Sequence, residues 1–187
     1  MQNLKIEPLI SIYDLESLPD DGNMYELFEG ELSVAKAPSL KHQELITNIA
    51  TILNIYLWQN PVGQIWVTPG VIFDEYNSAI PDLVFIAKER ISQIASGIHI
   101  VGAPDLAIEI MSPGTENVRR DQIVKRQTYA KFGIKEYWIV EPLVEIIEIT
   151  RLTENVLASV GVFRNADKIE TPLLSDFSFL VKDVFRK

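Results

Sequence analysis

The chain has 187 residues, 47% hydrophobic and 23% charged, which is long enough to bury a core unaided and too apolar for a disordered polypeptide. It contains no cysteine, which excludes a disulfide scaffold, a thiol nucleophile and every Cys-ligated zinc or iron–sulfur centre. With 26 Asp+Glu against 17 Lys+Arg, net −9, it is not composed like a wrap-around binder of nucleic acid, so a polyanion has to be met by a local basic rim or bridged by a metal.

Residues 1–187 read as one domain, in which 1–23 form an N-terminal arm with a helical turn near Asp14 and Glu16. The arm lacks a basic start followed by an apolar run, and no run of 18 apolar residues occurs anywhere, so the expectation is a cytoplasmic protein with no membrane partner. Residues 25–34 alternate on both sides of Glu29-Gly30, the pattern of a β-hairpin. Leu45, Ile46, Ile49, Ile52, Leu53, Tyr56 and Leu57 recur at helical spacing behind Ser39, which predicts one helix over 40–59, closed by Pro61 and Gly63. Strands are expected at 64–68, 71–74 and 80–86, and a short helix at 88–95. Residues 104–112 are almost wholly apolar and bounded by prolines, which suits a strand covered on both faces. A helix is expected over 117–132 with Gly133 as its stop, then strands at 136–140 and 144–150 around Pro142. The remainder reads as short strands and a terminal helical turn. The fold class is mixed α/β, a central mixed sheet flanked by helices with an N-terminal hairpin, and not a repeat of βαβ units.

Several chemistries are missing. The chain has two histidines, His42 and His99, too few for a His-rich metal site, and it has neither a G-x-S-x-G elbow nor a glycine-rich phosphate loop. The informative residues are acids inside apolar strands. Glu109 lies in Leu106-Ala107-Ile108-Glu109-Ile110-Met111, where an unpaired carboxylate is costly, so it should face a cation, a metal or water. The ordinary alternative is a structural ion pair. Asp82 and Asp105 both stand in Pro-Asp-Leu. Asp105 and Glu109 face the same way on one strand but about 13 Å apart, whereas Asp82 on a neighbouring strand can lie about 5 Å from Glu109. Asp82 with Glu109 is therefore the expected pair. On the next helix Asp121, Lys125 and Tyr129 share a face at i, i+4, i+8, an arrangement met most often as a solvent-facing pair. The functional alternative turns Lys125 toward the carboxylates, with Tyr129 orienting it or holding a phosphate. His42 falls on the apolar side of the first helix and is expected as a satisfied core-edge histidine; Glu26 and Glu31 are expected as surface acids, either of them available as an extra metal ligand.

Together these residues match a family. The chain resembles the Uma2 (DUF820) group of PD-(D/E)XK, restriction-endonuclease-like proteins. The resemblance rests on Tyr25-Glu26-Leu27-Phe28-Glu29-Gly30-Glu31-Leu32, His42 at a helix start, Pro81-Asp82-Leu83 and the stretch from Gly102 through Glu109 to Pro113. It continues with Lys125, Tyr129 and Gly133-Ile134-Lys135-Glu136-Tyr137-Trp138-Ile139-Val140-Glu141-Pro142, in family order over roughly residues 20–180. The resemblance implies a mixed sheet flanked by helices and a divalent-metal nuclease site. It assigns Asp82 and Glu109 as metal-binding acids and Lys125 as the catalytic lysine; Glu26, Glu31, His42 and Tyr129 stand beside them as candidate supporting residues. The general pattern places a lysine two residues after the second acid, where Met111 stands here; the resemblance displaces it to Lys125.

The mechanism so implied has Asp82, Glu109 and the backbone carbonyl of Ile110 holding Mg²⁺ (or Mn²⁺), with Lys125 positioning a water or stabilising the phosphorane. The expected activity is hydrolysis of phosphodiester bonds in nucleic acid, DNA first. A homodimer is expected, pooling Arg119, Arg120, Lys125, Arg126 and Lys131 into a track and using Trp66, Trp138 and Phe179 as exposed aromatics. Two other readings stand beside it: an inactive nuclease-fold module that binds nucleic acid or protein, and a hydrolase of a small phosphorylated molecule.

Overall fold

The computed structural model describes residues 9–15, 17–19, 21–35, 37–95, 97–112 and 120–186, without the side chains of Ala35, Arg120 and Asp121. A helical turn, α1 (Ile12–Leu15), precedes the hairpin β1 (Met24–Phe28) and β2 (Glu31–Ala35). Positive φ at both Glu29 (53°) and Gly30 (76°) gives the two-residue turn whose twist suits a hairpin. Helix α2 (Leu40–Gln59) is N-capped by Ser39, whose side chain accepts from the His42 N–H. Then come β3 (Gly63–Val67), β4 (Val71–Asp74), β5 (Asn77–Ala79), β6 (Leu83–Ala87), α3 (Lys88–Ile94), β7 (Ile100–Val101) and β8 (Leu106–Ile110). A π-helical turn over Arg120–Lys125 runs into α4 (Arg126–Phe132). Gly133 at φ 87° stops it, with the Ile134 N–H reaching back to the Tyr129 carbonyl. The chain ends with β9 (Glu136–Glu141), β10 (Ile146–Thr153), β11 (Val156–Arg164), β12 (Lys168–Glu170), β13 (Ser178–Leu180) and α5 (Val181–Phe185).

The strands build two large sheets rather than one central sheet. One has the order β11-β10-β9-β8-β6-β3, with β8 and β9 parallel; the other is β2-β1-β5-β4-β7, and β12-β13 form a small third. The expected strand at 80–86 starts later, at Leu83, with Ile80, Pro81 and Asp82 outside β6; β5, a separate three-residue strand before it, carries no alternating pattern to reveal it.

Alternation along β8 decides what each face meets. Leu106, Ile108 and Ile110 pack against Leu45, Ile49 and Leu53 of α2, as the helical spacing predicts. Ala107 and Met111 face the other way, against Tyr129, Ala130, Tyr137 and Phe28. Trp138 and Phe179 are buried in the first of these clusters and Trp66 is half-buried, which corrects the expectation of exposed aromatics. For Trp138 the reason is that β9 is an interior strand covered on both faces, so every residue from Glu136 to Val140 is buried. Among the described residues, no helix is long and apolar enough to cross a membrane.

Candidate active site

Glu109 points from β8 into the face shared with Ala107 and Met111, and is 4% exposed. A carboxylate so placed requires partners. Two come from successive turns of one helix, because residues four apart share a face. Lys125 Nζ donates to Glu109 Oε1 at 2.8 Å, and the Tyr129 hydroxyl donates to the same oxygen at 2.7 Å. Burial, with Glu109, Tyr137 and Glu26 adding to it, pushes the Tyr129 phenol well above its ordinary value, so it remains a donor. Lys125 is thus not a solvent-facing residue; it is 2% exposed. It closes the π-helical turn, a local irregularity that often accompanies a functional site. The third residue expected on that face, Asp121, has its side chain outside the described residues.

The second sheet adds an acid. Glu26 of β1 is 2% exposed, and its Oε1 lies 3.0 Å from Lys125 Nζ and accepts from the Ile80 N–H at 2.9 Å. This corrects its expected place on the surface. Alternation puts Glu26 on the same side of β1 as Phe28, which belongs to the core, so the signal was present in the hairpin. Glu31 stays exposed in β2 beside Phe28, at the turn end of the hairpin, and is not brought to Lys125.

Asp82 stands one residue before β6. The antiparallel register Leu83↔Ile108, continued by one residue, sets it opposite Glu109. Its Oδ2 accepts from the Ile110 N–H at 2.7 Å and lies 3.1 Å from His42 Nε2. Its Oδ1 takes no hydrogen bond from the described residues. Since the N–H and C=O of one strand residue point to the same edge, the Ile110 carbonyl also faces the Asp82 side of β8. His42 is buried, as expected of a core-edge residue, but among the described residues only Nε2 is satisfied; Nδ1 is buried and finds no partner there.

Asp105 takes the structural role that the sequence left open between the two Pro-Asp-Leu acids. It is fully buried, with Oδ1 at 2.8 Å from Arg90 and 2.7 Å from Lys135, while Oδ2 accepts from the Ala87 N–H. Burial opposes its charge, but the Ala87, Lys135 and Arg90 bonds outweigh that and hold its carboxyl below the ordinary value.

The expected basic track does not form from the described residues. Lys125 is buried, Arg126 is bound to Glu148 and the Leu157 carbonyl, and Lys131 is bound to Glu29. Arg119 and the Arg120 side chain lie outside the described residues. Nor, among the described residues, do three or more Asp, Glu, His or Cys side chains form a group that could hold a metal ion. The donors toward which the sequence pointed are therefore two carboxylates and one carbonyl.

The model of the Uma2 family, described as "Putative restriction endonuclease", matches residues 12–182. In fold, the chain is similar to the crystal structure of "a putative nuclease belonging to DUF820" from Anabaena variabilis. The two share 20% identity over 94% of this chain and 97% of that one, with a TM-score of 0.76. At that identity the likeness carries the fold. No curated protein matches the chain.

Proposed function

The chain belongs to the Uma2 family, and from that premise we propose that it is a divalent-metal-dependent endonuclease that hydrolyses phosphodiester bonds, with DNA as its substrate. The observation that carries this reading is the meeting of Lys125 with Glu109 across 2.8 Å of buried space. Met111 occupies the position where the general pattern has its lysine, and it packs into the core. A long side chain from the following helix reaches the same acid instead.

The donor set fits a hard cation. Carboxylate and carbonyl oxygens suit Mg²⁺ or Mn²⁺, and Mg²⁺ characteristically takes few protein ligands, leaving the others to water and substrate phosphate. Asp82, Glu109 and the Ile110 carbonyl are the groups that would hold it. Such a cation would polarise the scissile phosphate and acidify a bound water. Lys125 supplies a fixed positive charge beside Glu109, held by Glu26 and therefore not free to swing away from developing negative charge. Tyr129 fixes the Glu109 head through its hydroxyl. A homodimer stays part of the proposal, but since each copy carries net charge −9 it would have to hold a polyanion through a local basic patch or the bridging cation and not through its overall charge.

One observation favours a second reading. The described basic residues on the π turn and α4 are engaged by acids or carbonyls, which suits a module that binds a partner through the nuclease scaffold without turnover. A plasmid-nicking assay separates the two. The nuclease reading expects cleavage with Mg²⁺ or Mn²⁺, none with chelator, and loss in both Glu109→Ala and Lys125→Ala. Equal background cleavage in all three proteins leaves the binding module.

A further inference from the structure

The two polar atoms of His42 have unequal surroundings. Its backbone is fixed in the first turn of α2, where the N–H donates to the Ser39 side chain. Its ring sets Nε2 at 3.1 Å from Oδ2 of Asp82, the residue before β6. Nδ1 is buried and has no partner among the described residues. A histidine kept only for packing gains nothing from an unsatisfied nitrogen, and one serving a polar network would use both nitrogens. Among the described residues, all of the ring's hydrogen bonding is spent on one oxygen of one carboxylate.

That oxygen already has a donor, the Ile110 N–H at 2.7 Å. An ionised carboxylate only accepts, so Nε2 is the donor in this contact. Two donors converging on Oδ2 fix the plane of the Asp82 carboxyl and leave Oδ1 as the oxygen with no hydrogen bond from the described residues. We propose that His42 is a positioning residue: by donating from Nε2 to Oδ2 it turns Oδ1 of Asp82 outward as a ligand for the divalent cation. The inference rests on the metal-dependent reading above and goes beyond it, because it assigns each Asp82 oxygen a separate task. Hydrogen-bonded partners of metal ligands commonly set affinity by about 10–100-fold.

The test uses amide replacements. Glutamine places its NH₂ close to the position of Nε2, whereas asparagine places it close to that of Nδ1. Mn²⁺ is titrated calorimetrically into the metal-free full chain of the wild type, His42→Gln, His42→Asn and His42→Leu, with Asp82→Asn as the control that removes the ligand charge. The expected result is binding within about threefold of wild type for His42→Gln and weaker by about 10–100-fold for His42→Asn and His42→Leu. In the nicking assay the same variants should need more Mg²⁺ for half-maximal rate, with a similar rate at saturation. Melting curves identify any variant that fails to fold, and the Gln–Asn contrast between folded variants then decides. Wild-type affinity in His42→Asn, alongside loss in Asp82→Asn, overturns the inference but leaves the metal site standing. No Mn²⁺ binding by the wild type overturns the metal-dependent reading and the inference with it.

Discussion

Replacing Tyr129 by Phe removes one oxygen from the centre of the site and little else. The ring is held edge-on to Tyr137 at 5.1 Å and tilted against Phe73 at 5.9 Å, contacts that a phenyl group keeps. What goes is the 2.7 Å bond to Glu109 Oε1. Because the acceptor is a carboxylate and the donor is fully buried, the bond belongs to the stronger class, about 1.5–3 kcal/mol. Glu109 keeps Lys125 at 2.8 Å, so its charge is not stranded and the larger penalty of a broken buried ion pair does not apply. At roughly 2–4 °C per kcal/mol for a chain of this size, the melting temperature should fall by roughly 3–12 °C. Circular dichroism against temperature measures it, with urea unfolding to check that the slope is unchanged and the loss therefore belongs to the folded state. A variant melting within about 1 °C of wild type, with the same urea midpoint, refutes the idea that this hydroxyl anchors a charged Glu109.

Asp105→Asn should cost roughly 2–3 kcal/mol, less than a wholly buried pair because Lys135 is 55% and Arg90 28% exposed; chemical denaturation at neutral pH reads it. The same acid shapes the pH profile. Its folded-state value lies below the unfolded one, so its contribution is complete above about pH 4 and is lost as pH falls through the folded value. Wild-type stability should drop on that acid limb, and the Asn variant should show a shallower drop there. Gly63→Ala places a Cβ 2.5 Å from the Ile86 carbonyl and against the Phe85 ring, across the β3–β6 ladder, where backbone cannot yield cheaply. A loss of about 2 kcal/mol or more is expected, and an unchanged melting temperature would contradict the packing described. Glu31→Ala should leave stability within about 0.5 kcal/mol and Mn²⁺ binding unaltered, since that acid stays in solvent; weakened binding would return Glu31 to the site.

Local chemistry was legible from the chain alone. Leu45, Ile49 and Leu53 could only lie on one helix face, and α2 runs over the residues their spacing predicts. Glu29-Gly30 announced the hairpin, and Gly133 the end of α4. Glu109 stood out as a charge in an apolar strand, and strand geometry already preferred Asp82 to Asp105 as its neighbour. Period and turn preference act over a few residues, so one sequence carries them. Only the tertiary structure decided the rest: that the hairpin joins a second sheet, that Glu26 thereby reaches Ile80 across 54 residues of chain and meets Lys125, that Trp138 is interior, and that His42 turns one nitrogen to Asp82. Each of these depends on which strands become neighbours and in what register. That choice comes from burying many side chains at once, and no short stretch of residues encodes it.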